Sequence, residues 1–191
     1  MQRLIVGISG STGPHYGVRL LEVLREQRPD IETHLILSNA ARTTISYEMG
    51  RDPETVAALA HTLHDERNVG ASIASGTFVT DGMIVAPCSM KSLSAIANSY
   101  NDNLIARAAD VCLKERRRLV LVVRETPLHL GHLRLMEQVT SAGGVVLPPV
   151  PGFYHRPQTI QDIIDQTVTK ILDLFGIHLD LIQRWRGLDP D

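Results

Sequence analysis

Short runs of β-branched and aliphatic residues alternate along the chain with longer stretches whose apolar positions recur at helical spacing. This rhythm predicts an α/β domain: a mostly parallel sheet, wound in both directions, with helices on both faces. Arg3–Ile8 reads as the first strand, Ser9–Pro14 as a turn, and Tyr16–Arg28 as a helix that turns Leu20, Leu21 and Leu24 inward. A strand over Ile31–Leu37 follows, then helices over Ala40–Glu48 and Pro53–His61, the latter with proline at its first turn where a missing N–H costs nothing. Met83–Pro87 is the third strand, and Lys91–Ser99 and Asn103–Glu115 are helices. Leu119–Val123 is the most apolar run and reads as a central strand buried on both faces. Leu130–Ala142 is helical and Val145–Leu147 is a fifth strand. The last helix carries Ile160, Ile163, Ile164, Val168, Ile171, Leu172 and Phe175 on one stripe, a Thr159-x-x-Asp162 cap and Gly176 as its stop. No linker or repeat divides these elements, so the expectation is a single domain, 1–191, with a C-terminal helix and tail over about 158–191.

The five predicted strands run into Ser9–Gly13, Ser38-Asn39, Cys88–Ser92, Arg124-Glu125 and Pro148–Tyr154. Ligands of open α/β sheets bind outside the carboxyl ends of the strands, so these polar loops point to one site. Composition narrows what that site meets. Nineteen Lys and Arg against 21 Asp and Glu give a formal charge of −2, which argues against broad binding to nucleic acid or an anionic membrane, so any anion is held locally. Of 191 residues, 43% are hydrophobic and 4% aromatic, which excludes a disordered chain and makes the core aliphatic. Two cysteines without a CxxC motif, no signal-like N-terminus and no run of about 20 apolar residues predict a cytoplasmic protein.

The first loop spaces glycines as Gly7-x-x-Gly10-x-x-Gly13, which is neither GxGxxG nor a Walker sequence. It reads as a loop facing a phosphate or cofactor, or as a tight turn alone. A dinucleotide domain carries an acid after its second strand, and Ser38-Asn39 stands there instead, which disfavours NAD but not a mononucleotide. Pro87-Cys-Ser-Met-Lys-Ser-Leu-Ser94 offers hydroxyls, N–H groups and a lysine at a helix start, as an anion site or a serine-rich cap. His61-x-x-His64 and His129-x-x-His132 have ligand-like spacing without HExxH or neighbouring cysteines; they read as helix-surface histidines, and no metal is expected. Arg116–Arg118 reads as a solvated helix end, whereas Lys114 and Arg124 bracket the most apolar strand and are expected to reach its carboxyl-end site together.

The stretches LIVGISGSTGPHYGVRLLEVLR, IETHLILSNAARTTISYE, DGMIVAPCSMKSLSAIANSYNDNL, RAADVCLKERRRLVLVVRETPLHLGHLRLM and LPPVPGFYHRPQTI, with a closing Arg-Trp, resemble the UbiX-like flavin prenyltransferases over about Arg3 to Trp185. The resemblance implies a flavodoxin-like, homo-oligomeric (dodecameric) flavoprotein. It would transfer the dimethylallyl group of dimethylallyl phosphate to N5 and C6 of reduced FMN, closing a fourth ring. The product, prenylated FMN, would serve UbiD-like decarboxylases, in ubiquinone synthesis or aromatic acid decarboxylation. Carried over by motif, FMN is held by Gly10, Ser11, Thr12, Ser38, Ser89, Met90, Lys91, Ser92 and Arg124. The prenyl phosphate is held by Tyr154 and Lys170, with Lys114, Arg124 and, from a neighbouring subunit, Arg107. Glu48 and Glu125 match the acidic active-site positions and Trp185 the C-terminal aromatic one. Thr12 stands where many members have serine, and Lys170 where some have arginine.

These residue types suit the chemistry. Breaking an allylic C–O bond places negative charge on the departing phosphate and positive charge on the allyl group, which fixed cations and aromatic faces stabilise. The chain has no DDxxD run, consistent with a monophosphate donor used without metal. Two other readings remain. A flavin-dependent decarboxylase of the related fold would carry a histidine before the third strand, and Ser75–Gly82 has none. A non-catalytic FMN carrier would not need the cations Lys114, Arg124 and Lys170 beyond one flavin phosphate.

Overall fold

A computed structural model describes residues 2–185 and 187 and divides the chain into two compact units, 1–148 and 149–191. The first unit holds a six-stranded parallel sheet: β1 (Arg3–Ile8), β2 (Glu32–Leu37), β3 (Thr62–His64), β4 (Gly82–Cys88), β5 (Arg118–Val123) and β6 (Val145–Val146), in the order β3-β2-β1-β4-β5-β6. Without the three-residue β3 the order is that of a flavodoxin-like sheet. The helices are α1 (His15–Gln27), α2 (Asn39–Met49), α3 (Pro53–Ala57), α4 (Met90–Ala97), α5 (Leu104–Lys114) and α6 (Leu130–Ser141).

Alternation along the strands sorts the core between the two faces. Ile5, Ile36, Met83, Val85, Leu119 and Leu121 join one buried cluster with Leu93 and Ile96 of α4, Ile105 and Ala109 of α5, and Val139 of α6. The opposite face carries Ile8 and Ala86, against which α1 lies at Gly17. Helices therefore cover both faces, as doubly wound topology requires. Cys88 and Cys112 are free thiols inside the first cluster, and burial pushes both up to about 12.

Two expectations are corrected. The helix predicted over Pro53–His61 stops at Ala57, and the chain then forms the edge strand β3, whose three residues are too short for a period-two signal. Leu119–Val123 is, as expected, an interior strand, paired on both sides and fully buried. His61 and His64 are not helix-surface residues. His61 Nδ1 accepts from the Thr33 N–H at 3.1 Å, and His64 Nε2 lies 2.9 Å from His34 Nδ1. The second unit contains α7 (Ile160–Leu174), with the full Thr159/Asp162 capping box and Gly176 at φ +70°. Ile164, Val168, Ile171 and Leu172 are buried as expected, whereas Ile160, in the first turn, is 78% exposed.

The histidines paired between β2 and the edge strand β3 make stability depend on pH. Arg3 Nε donates to Glu32 Oε2 at 2.8 Å, and His34 Nε2 lies 3.0 Å from Glu32 Oε1. With Glu32 ionised, His34 donates to it and accepts from His64, so the chain is satisfied with both imidazoles neutral. Burial holds His34 and His64 below the ordinary imidazole value, partly offset at His34 by Glu32. In the unfolded chain both take up protons near pH 6.5, so the unfolded state binds more protons below that value and folding stability falls as pH drops from about 7. Denaturant midpoints at pH 7.5, 6.5 and 5.5 are expected to decline, less steeply in His34→Leu. Parallel slopes in the two proteins would remove this network as the cause.

Candidate active site

The strand order reverses between β1 and β4, and the loops after them diverge there. Buried Ser9 ties the two strand ends together: its Oγ donates to the Pro87 carbonyl at 2.8 Å and accepts from the Ser89 N–H at 2.8 Å. Pro87 has no N–H to give a ladder, and the β4–β5 register shifts between Val85 and Cys88. From Ser9 the chain turns through Gly10, where a Cβ would sit 2.3 Å from the Ala40 Cβ, so the loop lies against the first turn of α2 only because residue 10 has no side chain. Ser11 Oγ donates to the Arg124 carbonyl at 3.0 Å, joining the loop to the end of β5. Exposed Thr12 precedes Gly13, which adopts φ +87° and donates its N–H to Glu48 Oε2 at 2.9 Å. Glu48, from the last turn of α2, thus braces the loop.

Two helices begin at the same end of the sheet. Ser38 caps α2 by accepting from the Ala41 N–H at 3.0 Å, and Ser89 caps α4 by accepting from the Ser92 N–H at 3.2 Å while its hydroxyl donates to Ser92 Oγ. The serine-rich cap read at the start of α4 is therefore real, and Ser38 forms a second one that the sequence reading did not name. They also leave first-turn N–H groups and the positive dipole ends directed at the space outside the strands. Met90 is partly buried and Lys91 exposed at the start of α4. Arg124 is partly buried just past β5, with its N–H bonded to the Cys88 carbonyl at 3.2 Å. Its charge is felt at Tyr16 of α1, whose phenol burial pushes up and Arg124 pulls down. Glu125 is exposed, and its carboxylate accepts from the Thr126 N–H at 2.9 Å. The structure thus brings together Gly10, Ser11, Thr12, Ser38, Glu48, Ser89, Ser92 and Arg124, with Glu125 at the rim. Sequence reasoning missed the buried Ser9 brace and Tyr16, because nothing local separates a bonded serine or tyrosine from a packing one.

Lys114 and Arg107 are elsewhere. Lys114 ends α5 and precedes β5, whereas Arg124 follows it, so the six residues of the strand, about 20 Å at 3.3 Å each, separate the two. Lys114 pairs with Glu115 and reaches over Gly76; Arg107 Nε donates to the Ala74 carbonyl at 3.2 Å and its Nη1 lies 3.4 Å from Asp110. Lys114 therefore lies beside Gly76 at the amino end of β5, whereas Arg107, in the first turn of α5, reaches Ala74. The expectation that Lys114 and Arg124 of one chain reach a common site is corrected, because a parallel strand sends the residues before and after it to opposite edges. Arg117, read as part of a solvated helix end, instead donates to the Phe78 carbonyl at 2.9 Å and to that of Gly76.

In the second unit Tyr154 and Trp185 meet edge to face, 6.2 Å between ring centroids, and line a cavity of about 330 Å³ with His155, Arg156, Gln183 and Arg184. Arg184 is held by Asp173 through two contacts of 2.9 Å, which keep the Asp173 carboxyl below the usual carboxylate range. Lys170 is an exposed residue of α7 outside that lining. Among the described residues no helix is long and apolar enough to cross a membrane, and no group of three His, Cys, Asp or Glu is placed to hold a metal. His129 caps α6 and its ring stacks on that of His132, 3.6 Å between centroids.

Comparison with known proteins agrees with this geometry. Residues 1–172 match the family model described as Flavoprotein. The chain is 60% identical to the flavin prenyltransferase UbiX of Escherichia coli K12 over 189 residues, 98% of this chain and all of that protein. AnUbiX (PadA1), solved with FMN and dimethylallyl pyrophosphate, superposes with a TM-score of 0.95 at 49% identity, covering 98% of this chain and 99% of that one. A dodecameric FMN-dependent UbiX-like decarboxylase from Escherichia coli O157:H7 superposes with a TM-score of 0.95 at 48% identity, covering 97% and 100%.

Proposed function

The chain belongs to the UbiX-type flavin prenyltransferases of the flavoprotein family, and from that premise we propose that it transfers a dimethylallyl group from dimethylallyl phosphate to reduced FMN, yielding prenylated FMN. The observation that carries this reading is the cradle at the carboxyl end of the sheet: a glycine loop pressed onto α2, two capped helix starts and Arg124. That donor set fits FMN. N–H groups of the Gly10–Gly13 loop and of the first turns of α2 and α4 suit its phosphate and polar edge, with Arg124 supplying the one cation a mononucleotide needs. Gly10, Ser11, Thr12, Ser38, Ser89, Met90, Lys91, Ser92 and Arg124 are the proposed flavin contacts.

When bound, reduced FMN supplies the nucleophilic N5 and C6. The protein's part is to stabilise charge and move a proton. Lys170 and Tyr154 hold the prenyl phosphate and, with Arg124, take up the negative charge that grows on the departing phosphate. Trp185 and Tyr154 present aromatic faces to the allyl cation. Lys114 and Arg107 complete the set from a neighbouring subunit, Lys114 because it lies at the end of β5 opposite Arg124. Glu48 or Glu125 would accept the proton released from C6, and Glu48 is already oriented by the Gly13 N–H. The same reading has one domain acting in the cytoplasm as a homo-oligomer, a dodecamer as in the Escherichia coli O157:H7 relative, and passing its product to a UbiD-like decarboxylase.

Incubation with reduced FMN and dimethylallyl phosphate, or the pyrophosphate, is expected to add one five-carbon unit to the flavin by mass. Flavin of unchanged mass would reject the assignment. Glu48→Gln and Glu125→Gln are expected to differ, the variant lacking the base losing about 10²- to 10⁴-fold in ring closure.

A further inference from the structure

We propose that Gly76 is a positioning residue for Lys114: its missing side chain leaves a seat on which the Lys114–Glu115 pair lies, and the seat fixes where the ammonium stands. The role rests on the prenyl-transfer reading above, in which Lys114 serves a neighbouring subunit. Gly76 is not glycine for backbone reasons, since its φ lies outside the left-handed region. It is glycine for space. A Cβ there would run into the Glu115 carboxylate and stand 2.9 Å from Lys114 Nζ. Lys114 and Glu115 are themselves ion-paired, and the ammonium, by hydrogen bond and by charge, holds the Glu115 carboxyl below the usual carboxylate range. Exposed pairs of this kind add little to stability, and a lysine stem left to itself samples many rotamers. What the seat supplies is therefore direction.

The seat is rigid where the lysine is not. Arg117 joins it to the helix that carries Lys114: its N–H donates to the Cys112 carbonyl in the last turn of α5 at 2.8 Å, while its guanidinium donates to the carbonyls of Phe78, at 2.9 Å, and Gly76. Arg3 grips the same segment from β1, donating to the Val79 carbonyl at 2.8 Å with its guanidinium 4.5 Å over the Phe78 ring. Inside the turn the Phe78 N–H donates to the Ser75 carbonyl at 3.2 Å, and the Ser75 and Thr77 hydroxyls stand 2.8 Å apart. Phe78 packs against the buried cluster that holds Ile5 and Ile36. The turn is thus tied to α5, to β1 and to the core, and a flexible ammonium laid on it is preorganised. A charge that must meet a departing phosphate loses rate steeply when misplaced, about 10²-fold for a shift near 1 Å.

The test compares Gly76→Ala, Lys114→Ala and the double variant in the full-length protein. The atoms a methyl group would meet are the far ends of two flexible side chains, so they move aside and the fold is kept. The melting temperature of Gly76→Ala should therefore be no lower than the parent's. Its kcat for prenylation of reduced FMN by dimethylallyl phosphate is expected to fall about 10- to 100-fold. In the Lys114→Ala background the same substitution should change kcat by less than about twofold, because a seat has no effect without its occupant. Parental activity in Gly76→Ala beside an impaired Lys114→Ala would overturn the seat while leaving prenyl transfer standing. So would an undiminished further loss in the double variant, a melting temperature well below the parent's, or Lys114→Ala chains as active as the parent. A parent protein that leaves the flavin mass unchanged would instead overturn the prenyl-transfer reading, and the role of Gly76 with it.

Discussion

Co-expression of Lys114→Ala chains with Arg124→Ala chains is expected to restore prenyl transfer that neither variant performs alone. On the proposed reading each residue supplies a fixed positive charge to the departing phosphate, and removing one such group is expected to lower turnover about 10²- to 10³-fold. Within a chain the two are held at opposite edges of the sheet: Lys114 closes α5 before β5 begins, and Arg124 follows where β5 ends. A site using both must draw them from different chains. In randomly mixed oligomers about one site in four then pairs an intact Arg124 with an intact Lys114 from its neighbour, because a head-to-tail interface joins unlike surfaces. If mixed oligomers, verified by mass, stay as inactive as the separate variants, Lys114 does not act across a subunit boundary.

The second large effect is expected at Gly17. Helix propensity alone predicts that Gly17→Ala, inside α1, gains about 1 kcal/mol. The structure reverses the sign. A Cβ there would lie 2.1 Å from the Ala86 carbonyl oxygen and 2.9 Å from Ile8 side-chain carbons, so α1 must lift from β1 and β4. Overpacking against backbone costs about 3 kcal/mol, equivalent to a fall in Tm of roughly 6–12 °C for a chain of this size. Because α1 leads directly out of the Ser9–Gly13 loop, flavin affinity should fall with it. Gly50→Ala is the control: φ is +61° but a Cβ meets nothing within 4 Å, so only backbone strain of about 1 kcal/mol is added. A Gly17→Ala melting point no lower than that of Gly50→Ala would show that the helix moves freely over the sheet.

Much of the fold was legible because its signals are local. The run Leu119–Val123, the cap Thr159-x-x-Asp162 and the stop at Gly176 each announce themselves within a few residues, and all three were realised. Where pairing rather than local pattern decides, the reading slipped. Thr62–His64 becomes a strand only because β2 offers an open edge, and His64 leaves the expected helix surface to bond His34. Ile160 fits the apolar stripe of α7 by spacing and is exposed, since spacing defines a face without saying what meets its first turn.

The amino-acid sequence by itself determined the alternation of strands and helices, the polar loops at the strand ends and the resemblance that points to flavin chemistry, because periodicity and motif are properties of neighbours along the chain. Only the tertiary structure decided which of those residues share a place. It put Glu48 on the Gly13 N–H, tied Ser11 to the end of β5, and sent Lys114 to the far edge of the sheet. The reason is geometric: in a parallel sheet the two ends of every strand face opposite ways, so nearness in sequence across a strand becomes separation in space.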